Sequence, residues 1–245
     1  MQNEEIAYTG KAIQVFADHG YTDERLTGVR RTIAKVMHES LSTMAQLTHH
    51  SSFDATKLLD CRKRIKAYAD SDITMNDMIL FAVSRTLKKF PSFNAHFLDD
   101  KIRKFHSVNI GVAVETDRGL LVPTLYGADI KTLKVLSQEL KELILATRTG
   151  RIDPDLLANG TFTVTNLGAL GVEIFTPVIN SPQTAILGVC SIQIRFKEID
   201  GKLVHYPAMG LSLTYDHRAV DGAPAARFMM ALTQILENFN EADEL

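Results

Sequence analysis

Leu211-Ser-Leu-Thr-Tyr-Asp-His-Arg-Ala-Val-Asp-Gly222 is the stretch from which the fold is read. Its first half alternates apolar and polar residues, Leu211, Leu213 and Tyr215 against Ser212 and Thr214, which is the period of a half-buried strand. Its second half gathers Asp216, His217 and Arg218 and then Asp221-Gly222. Beyond these, Phe228, Met229, Leu232, Ile235 and Leu236 return at helical spacing. The stretch therefore predicts a strand, a tight loop and a helix. A loop held between two rigid elements can aim a side chain. Histidine, with an unperturbed pKa of about 6.5, accepts and returns a proton near neutral pH. His217 is thus the candidate base, although a lone histidine near a helix start more commonly serves the fold than a reaction.

Upstream, a long strand pattern from Ala185 to Ile199 turns at Asp200-Gly201, a two-residue hairpin signal. Residues 161–165 read as a short strand entering Asn166-Leu-Gly-Ala-Leu-Gly171. From 93 to 125 the period is two, and 93–98, 101–105, 108–115 and 120–125 read as strands separated by Asp99-Asp100 and Thr116-Asp-Arg-Gly119. Helical periods fill the remainder. Thr27 opens the first, with Val29, Ile33, Val36 or Met37, Leu41 and Met44 on one side. Asp54 caps a second over 55–69, its apolar side Leu58, Cys61, Ile65 and Tyr68. Thr74-Met-Asn-Asp77 has the form of a capping box for a third, which stops at Phe90-Pro91. Asp129 is placed to cap a fourth, bearing Leu133, Leu136, Leu140 and Leu143 and stopped by Gly150. Helices and strands interleave without strict alternation, and antiparallel hairpins recur. The expected architecture is a mixed α/β sandwich, helices packed on a mixed sheet, in one domain of residues 26–245 preceded by an arm of residues 1–25 with a short helix at 11–18.

The chain has 245 residues, 45% hydrophobic and 23% charged, with a net charge of -2. That length buries a substantial core. A near-neutral balance without a basic block argues against a nucleic-acid surface. Glu4, Glu5, Lys11 and Asp18 leave no apolar core of a signal peptide, and no later run has the length of a membrane span, so a cytoplasmic location is expected. Cys61 and Cys190, with no Cys-x-x-Cys pair, are expected reduced and buried. His49 and His50 are adjacent on an extended segment, so their side chains point to opposite faces and no metal site is expected there.

Asp-His-Arg-x-x-Asp-Gly, Asp216 to Gly222, resembles the active-site motif of the dihydrolipoamide acyltransferases, the E2 components of 2-oxo acid dehydrogenase complexes. The chloramphenicol acetyltransferases carry a similar pattern. The likeness extends to Leu26-Thr-Gly-Val-Arg-Arg-Thr-Ile-Ala-Lys35, Asn109-Ile-Gly-Val-Ala-Val114, Gly119-Leu-Leu-Val-Pro123, Thr161-Phe-Thr-Val-Thr-Asn-Leu-Gly168 and Ile179-Asn-Ser-Pro-Gln-Thr-Ala-Ile-Leu-Gly188. Five ordered segments are far more specific than one motif.

The resemblance implies a chloramphenicol acetyltransferase-like fold and reversible transfer of an acyl group, acetyl by default, between coenzyme A and a dihydrolipoyl arm. It assigns His217 as general base and Thr165 as the hydroxyl that stabilises the oxyanion. Asp221 is implied to form a buried ion pair with Arg30 that fixes the His217 loop, and Arg218 to orient the loop backbone or to serve the surface. Arg62, Thr74, Glu115 and Asn166 fall at places that contact coenzyme A in the family, and Gly168 to Gly171 reads as a tight turn beside the site. The implied assembly is a homotrimer in which His217 of one subunit faces Thr165 of the next, served by a lipoyl domain and the other 2-oxo acid dehydrogenase components.

Two departures qualify the likeness. No lipoyl or partner-binding domain fits into the first 25 residues, so the sequence is expected to be a catalytic fragment or to take its lipoyl arm from another chain. The acidic ending, Asn240 to Leu245, differs from the apolar tail that joins trimers in many E2 cores, and it weighs against a larger core while leaving the trimer. Two other readings are open. One is a coenzyme A-dependent acetyltransferase acting on a small hydroxyl acceptor; the other is a non-catalytic scaffold. Asp216 and Arg218 flank His217 in the E2 manner, against the first, and a scaffold has no need for base and donor together.

Overall fold

The structure, a computed structural model, describes residues 21–26, 28–69 and 72–240. The expected helix at 11–18 lies outside them, as does the side chain of Tyr68. In chain order the elements begin with helix α1 (Gly28–Thr43), strand β1 (Gln46–Asp54), helix α2 (Thr56–Ala69) and helix α3 (Met75–Lys89). Strands β2 (Ala95–Leu98), β3 (Lys101–Lys104), β4 (Ile110–Val112), β5 (Val114–Thr116), β6 (Gly119–Leu121) and β7 (Thr124–Leu125) follow. Helix α4 (Leu133–Arg148), strands β8 (Phe162–Asn166), β9 (Ala185–Ile199) and β10 (Lys202–Asp216), and helix α5 (Gly222–Glu237) complete the order.

The main sheet runs β1-β10-β9-β8-β4-β7. Its first three strands are antiparallel, β8 lies parallel to both β9 and β4, and β7 closes antiparallel on β4. The mixed sheet is therefore as expected. Two hairpins, β2-β3 and β5-β6, stand apart from it. The β9-β10 turn has Asp200 at φ 51° and Gly201 at φ 71°. Both left-handed positions are what a two-residue hairpin loop demands, and Gly and Asp tolerate them.

Helix α3 is buried along most of its length, from Met78 through Val83 to Leu87. Its expected capping box forms: the Asp77 amide donates to Thr74 Oγ1 at 3.2 Å and the Thr74 amide to Asp77 Oδ2 at 2.8 Å. Asp54 accepts from the Thr56 amide at 3.0 Å, and α2 begins there. Helix α5 is pinned by Phe228, whose ring lies 4.6 Å from that of Phe93, 5.6 Å from Phe90 and 6.0 Å from Phe162. Truncating such a ring to alanine costs about 3–5 kcal/mol. The helix that follows the His217 loop thus has a fixed origin.

Four expectations about these elements are corrected. Asp129 does not cap α4. Thr132 does, accepting from the Val135 amide, while Asp129 sits in a short 3-10 turn, accepts from the Val108 amide at 2.8 Å and pairs with Lys88 at 2.9 Å. The run 108–115 is not one strand, because Ala113 donates to Val164 O and the chain leaves the main sheet there, so that β5 pairs with β6 instead. The run 120–125 breaks at Pro123, which has no N–H for a ladder; its carbonyl accepts from Val112 at 2.9 Å. The apolar side of α1 is also less buried than its pattern implied. Val29, Ile33, Val36 and Met37 are only partly covered and Leu41 is exposed. Together with Leu121 and Leu157 the stripe walls an open groove of about 630 Å³.

Candidate active site

β10 ends at Asp216, a fully buried carboxylate at 0% exposure. A charge so placed needs a partner. Arg218, two residues on, supplies it: Nε donates to Oδ1 at 3.0 Å and Nη2 to Oδ2 at 2.6 Å, and the Arg218 amide donates to Oδ1 at 3.1 Å. The Arg218 guanidinium also lies 4.3 Å above the Phe97 ring. The Asp216 hydrogen bond, opposed by partial burial, raises the Arg218 pKa above its ordinary value. The Asp216 carbonyl takes the amides of Ala219 and Val220 at 2.9 and 3.1 Å, so the chain turns tightly around this one residue. Arg218 therefore pairs inward with the strand end while 38% of its side chain stays exposed, between the two roles open to it in the sequence.

His217 stands at the apex. Its amide donates to Ala45 O at 2.8 Å, which ties the apex to the start of β1, and its side chain is 47% exposed. Nδ1 lies 3.9 Å from Asp221 Oδ1. Both groups face solvent, so this contact adds little energy and holds the ring only loosely. Beneath the apex, the buried Tyr215 ring has its centroid 6.0 Å from that of His217. The Tyr215 hydroxyl meets His49 Nε2 at 3.1 Å. Burial first, and then the charge of Asp221, push the Tyr215 pKa up.

The expected buried pair of Asp221 with Arg30 is not what one chain contains. The Asp221 side chain is 83% exposed as N-cap of α5, and exposed Arg30 near the start of α1 has its guanidinium against Gly119. Arg30 lines a cleft of about 870 Å³ with Glu115, Arg118, Leu167 and Leu170.

On the other side of the Leu167–Leu170 turn, Thr165 and Asn166 end β8. Asn166 Oδ1 accepts from the Gly168 amide at 2.9 Å, and its Nδ2 donates to Asn76 Oδ1 at 3.1 Å. That bond brings the first turn of α3, with Thr74 as its cap, to the end of β8. A groove of about 440 Å³ lies there, walled by Met75, Ile79, Asn166, Gly168 and Cys190. A Cβ on Gly168 would fall 2.5 Å from Cys190 O, so the turn packs directly on β9. The structure brings Asn166 against Asn76 in the helix turn that Thr74 caps, leaves Thr165, one residue earlier on β8, on the opposite face of the strand, sets Glu115 and Arg30 in the neighbouring cleft, and leaves Arg62 exposed on α2, lining neither cleft.

Thr165 and His217 are not brought together within the chain. Thr165 pairs with Gly188 on β9, and Gly188 with Ser212 on β10. Asp216 is four residues beyond Ser212, which is about 13 Å along the strand, and two strand spacings add about 10 Å across, so the backbone at Asp216, one residue before His217, is about 16 Å from that at Thr165.

The family model for the 2-oxoacid dehydrogenases acyltransferase (catalytic domain) matches residues 18–242. The chain belongs to that family. As an acyltransferase-family chain it is 37% identical over 244 residues to the dihydrolipoyllysine-residue acetyltransferase component of the pyruvate dehydrogenase complex of Staphylococcus aureus, covering 96% of this chain and 57% of that protein. It therefore spans little more than half the length of that curated relative. Among solved structures, a probable dihydrolipoamide acetyltransferase from Listeria monocytogenes superposes with TM-score 0.87 at 31% identity, covering 92% of this chain and 98% of the other. The cubic core of the pyruvate dehydrogenase multienzyme complex superposes with TM-score 0.86 at 34% identity, covering 91% and 94%. A chloramphenicol acetyltransferase, TM-score 0.53 at 15% identity, covering 87% and 100%, shares the fold alone.

Sequence reasoning missed what Asp216 does. Its only signal is the Asp-x-Arg spacing, and the burial that makes the pair decisive is not written in a motif. It also set the His49 ring aside. The two adjacent histidines take different partners, His49 the Tyr215 hydroxyl and His50 the Ser212 hydroxyl at 2.9 Å. Cys61 and Cys190 are buried thiols and form no disulfide, as expected.

Proposed function

We propose that this chain transfers an acyl group between coenzyme A and dihydrolipoamide, with His217 as general base, in an assembly where Thr165 of a neighbouring copy stabilises the oxyanion. Family membership supports the reaction class. The observation that carries the inter-copy site is the separation of about 16 Å between the two ends of the constellation, while the imidazole is half open at a corner braced from within.

The chemistry asked of these residues is modest. A thiol with pKa of about 8.5 is a weak nucleophile until its proton leaves. His217 takes that proton, the thiolate attacks the thioester carbonyl, and negative charge develops on oxygen. A positioned hydroxyl donor there, Thr165, contributes about 3 kcal/mol to the transition state. When the tetrahedral species collapses, the departing sulfur takes the proton back from His217. Asp216 and Arg218 hold the imidazole in place and touch no reactant. Thr74 caps the helix turn that Asn166 meets through Asn76, and the two are suited to bind coenzyme A; Glu115 and Arg62 are the less supported contacts, being in a second cleft and on an outer helix face.

A homotrimer is the proposed unit, and the half-covered apolar stripe of α1 is the kind of surface a second copy would cover. We extend the proposal to a folded unit of residues 26–245 and to service by a lipoyl domain and the other dehydrogenase components.

The test is acyl transfer from acetyl-coenzyme A to free dihydrolipoamide. His217→Ala is expected to lower kcat by about 10²–10⁴-fold with its fold intact. An unchanged rate would remove His217 as base. Product only with small hydroxyl acceptors would favour the acetyltransferase reading, and no product with any acceptor the scaffold reading. Acetyl-, isobutyryl- and succinyl-coenzyme A compared side by side would fix the acyl group.

A further inference from the structure

We infer that His49 is a positioning residue for His217, acting through the buried hydroxyl of Tyr215. This rests on His217 being the reacting group and adds a second imidazole to the machinery.

Tyr215 is 0% exposed, and a phenol in that position needs a hydrogen-bond partner. His49 Nε2 at 3.1 Å provides it, and the two rings meet edge to face with centroids 5.1 Å apart. Accepting the Tyr215 O–H requires the neutral imidazole with its proton on Nδ1. The pair lies directly under the chain it would steady. A Cβ on Gly222 would stand 3.5 Å from Tyr215 Oη and 3.7 Å from His49 Cε1, so the hydroxyl and the imidazole face the first residue of α5 across the space of one methyl group. Tyr215 precedes the corner by one residue and Gly222 follows it by one, and His217 lies between them. The hydroxyl-imidazole bond therefore braces both ends of the corner at once.

Strand β1 completes the brace. It carries His49, and the Ala45 carbonyl just before it accepts the His217 amide at 2.8 Å. Leu47, opposite Tyr215 in the register, and Phe53 share the face of His49, so that the ring stands toward α5 and not toward the polar column of Thr48, His50 and Ser52. The Asp216–Arg218 pair fixes the corner from inside. It does not touch the start of α5, and the Tyr215–His49 pair does. An apolar pair at these two positions would fill the same volume without fixing where the ring tip points.

Tyr215→Phe, His49→Ala and His49→Gln in the full chain test this. Steady-state transfer from acetyl-coenzyme A to dihydrolipoamide gives kcat and KM, and 13Cε1-labelled histidine reports the His217 imidazole. Tyr215→Phe and His49→Ala are each expected to lower kcat about tenfold with KM nearly constant and to displace the His217 resonance. The double variant should cost no more than either single, and His49→Gln, which keeps a polar tip, should recover much of the loss. Folded single variants whose kcat and His217 resonance match the parent would overturn the inference, even with lowered melting temperatures. If the parent shows no transfer, the proposed function fails by itself, and an unmoved or displaced resonance still decides whether His49 positions His217.

Discussion

At the scale of single residues, the corner depends on a carboxylate that has no part in the chemistry. Asp216 is fully buried and takes three donors from Arg218, among them the backbone amide. Asp216→Asn keeps the shape and an acceptor for that amide but loses the charge. Because Arg218 is partly exposed, the expected loss of stability is about 1–3 kcal/mol and not the full cost of an orphaned buried ion. The effect on rate should be larger in proportion. A reacting group displaced by about 1 Å costs about 10²-fold, so kcat should fall steeply in protein that still unfolds cooperatively. Urea unfolding and steady-state kinetics on the same preparation check this, and wild-type kcat in a destabilised variant would contradict it. Of this corner, the sequence disclosed the imidazole, the flanking charges and the strand-loop-helix frame. It did not disclose that Asp221 points to solvent, because burial of a loop carboxylate is decided by elements far away in the chain.

At the scale of elements, periodicity was a good guide wherever one face of a strand or helix is buried and a poor one where the chain changes sheets. The β9-β10 hairpin, α3 with its capping box, and α5 with its Phe228 stripe were all legible. The breaks at Ala113 and Pro123 were not, since an alternating pattern runs through both. Asp129 shows a similar limit: an acidic residue near a helix start is legible as a cap, but its actual partners are the Val108 amide and Lys88 from other elements. Burial by itself pushes the Asp129 carboxyl up; the Lys88 ammonium and the Val108 amide outweigh this and hold it below the usual 3.8. A carboxyl with a lower pKa folded than unfolded stabilises above the unfolded value, and this contribution is lost as pH falls through the folded one. Asp129→Asn should therefore cost about 1–2 kcal/mol at neutral pH, and the gap to the parent should narrow as the pH is taken from neutral to below the usual carboxylate value of 3.8. Urea midpoints at the two pH values measure it, and a gap as wide in acid as at neutrality would show that the charge is not what matters.

At the scale of the whole molecule, two features point beyond a single chain. The α1 stripe lies open along a groove, and Ile194, Phe196 and Leu203 are well exposed toward the tip of the long hairpin, Phe196 at 63%. Apolar surface left uncovered in this way marks places where proteins meet. In the proposed trimer, with head-to-tail interfaces, each imidazole would face its neighbour's Thr165 hydroxyl. Among the described residues, no helix is long and apolar enough to cross a membrane. The test of greatest weight is complementation between His217→Ala and Thr165→Ala subunits, each poor in acyl transfer alone, co-assembled in equal amounts. Random pairing in a head-to-tail ring creates an intact His217-Thr165 site at about one quarter of the interfaces, and the account predicts recovery of transfer to about that share of the parental rate. A mixture no more active than the average of its two parts would contradict it.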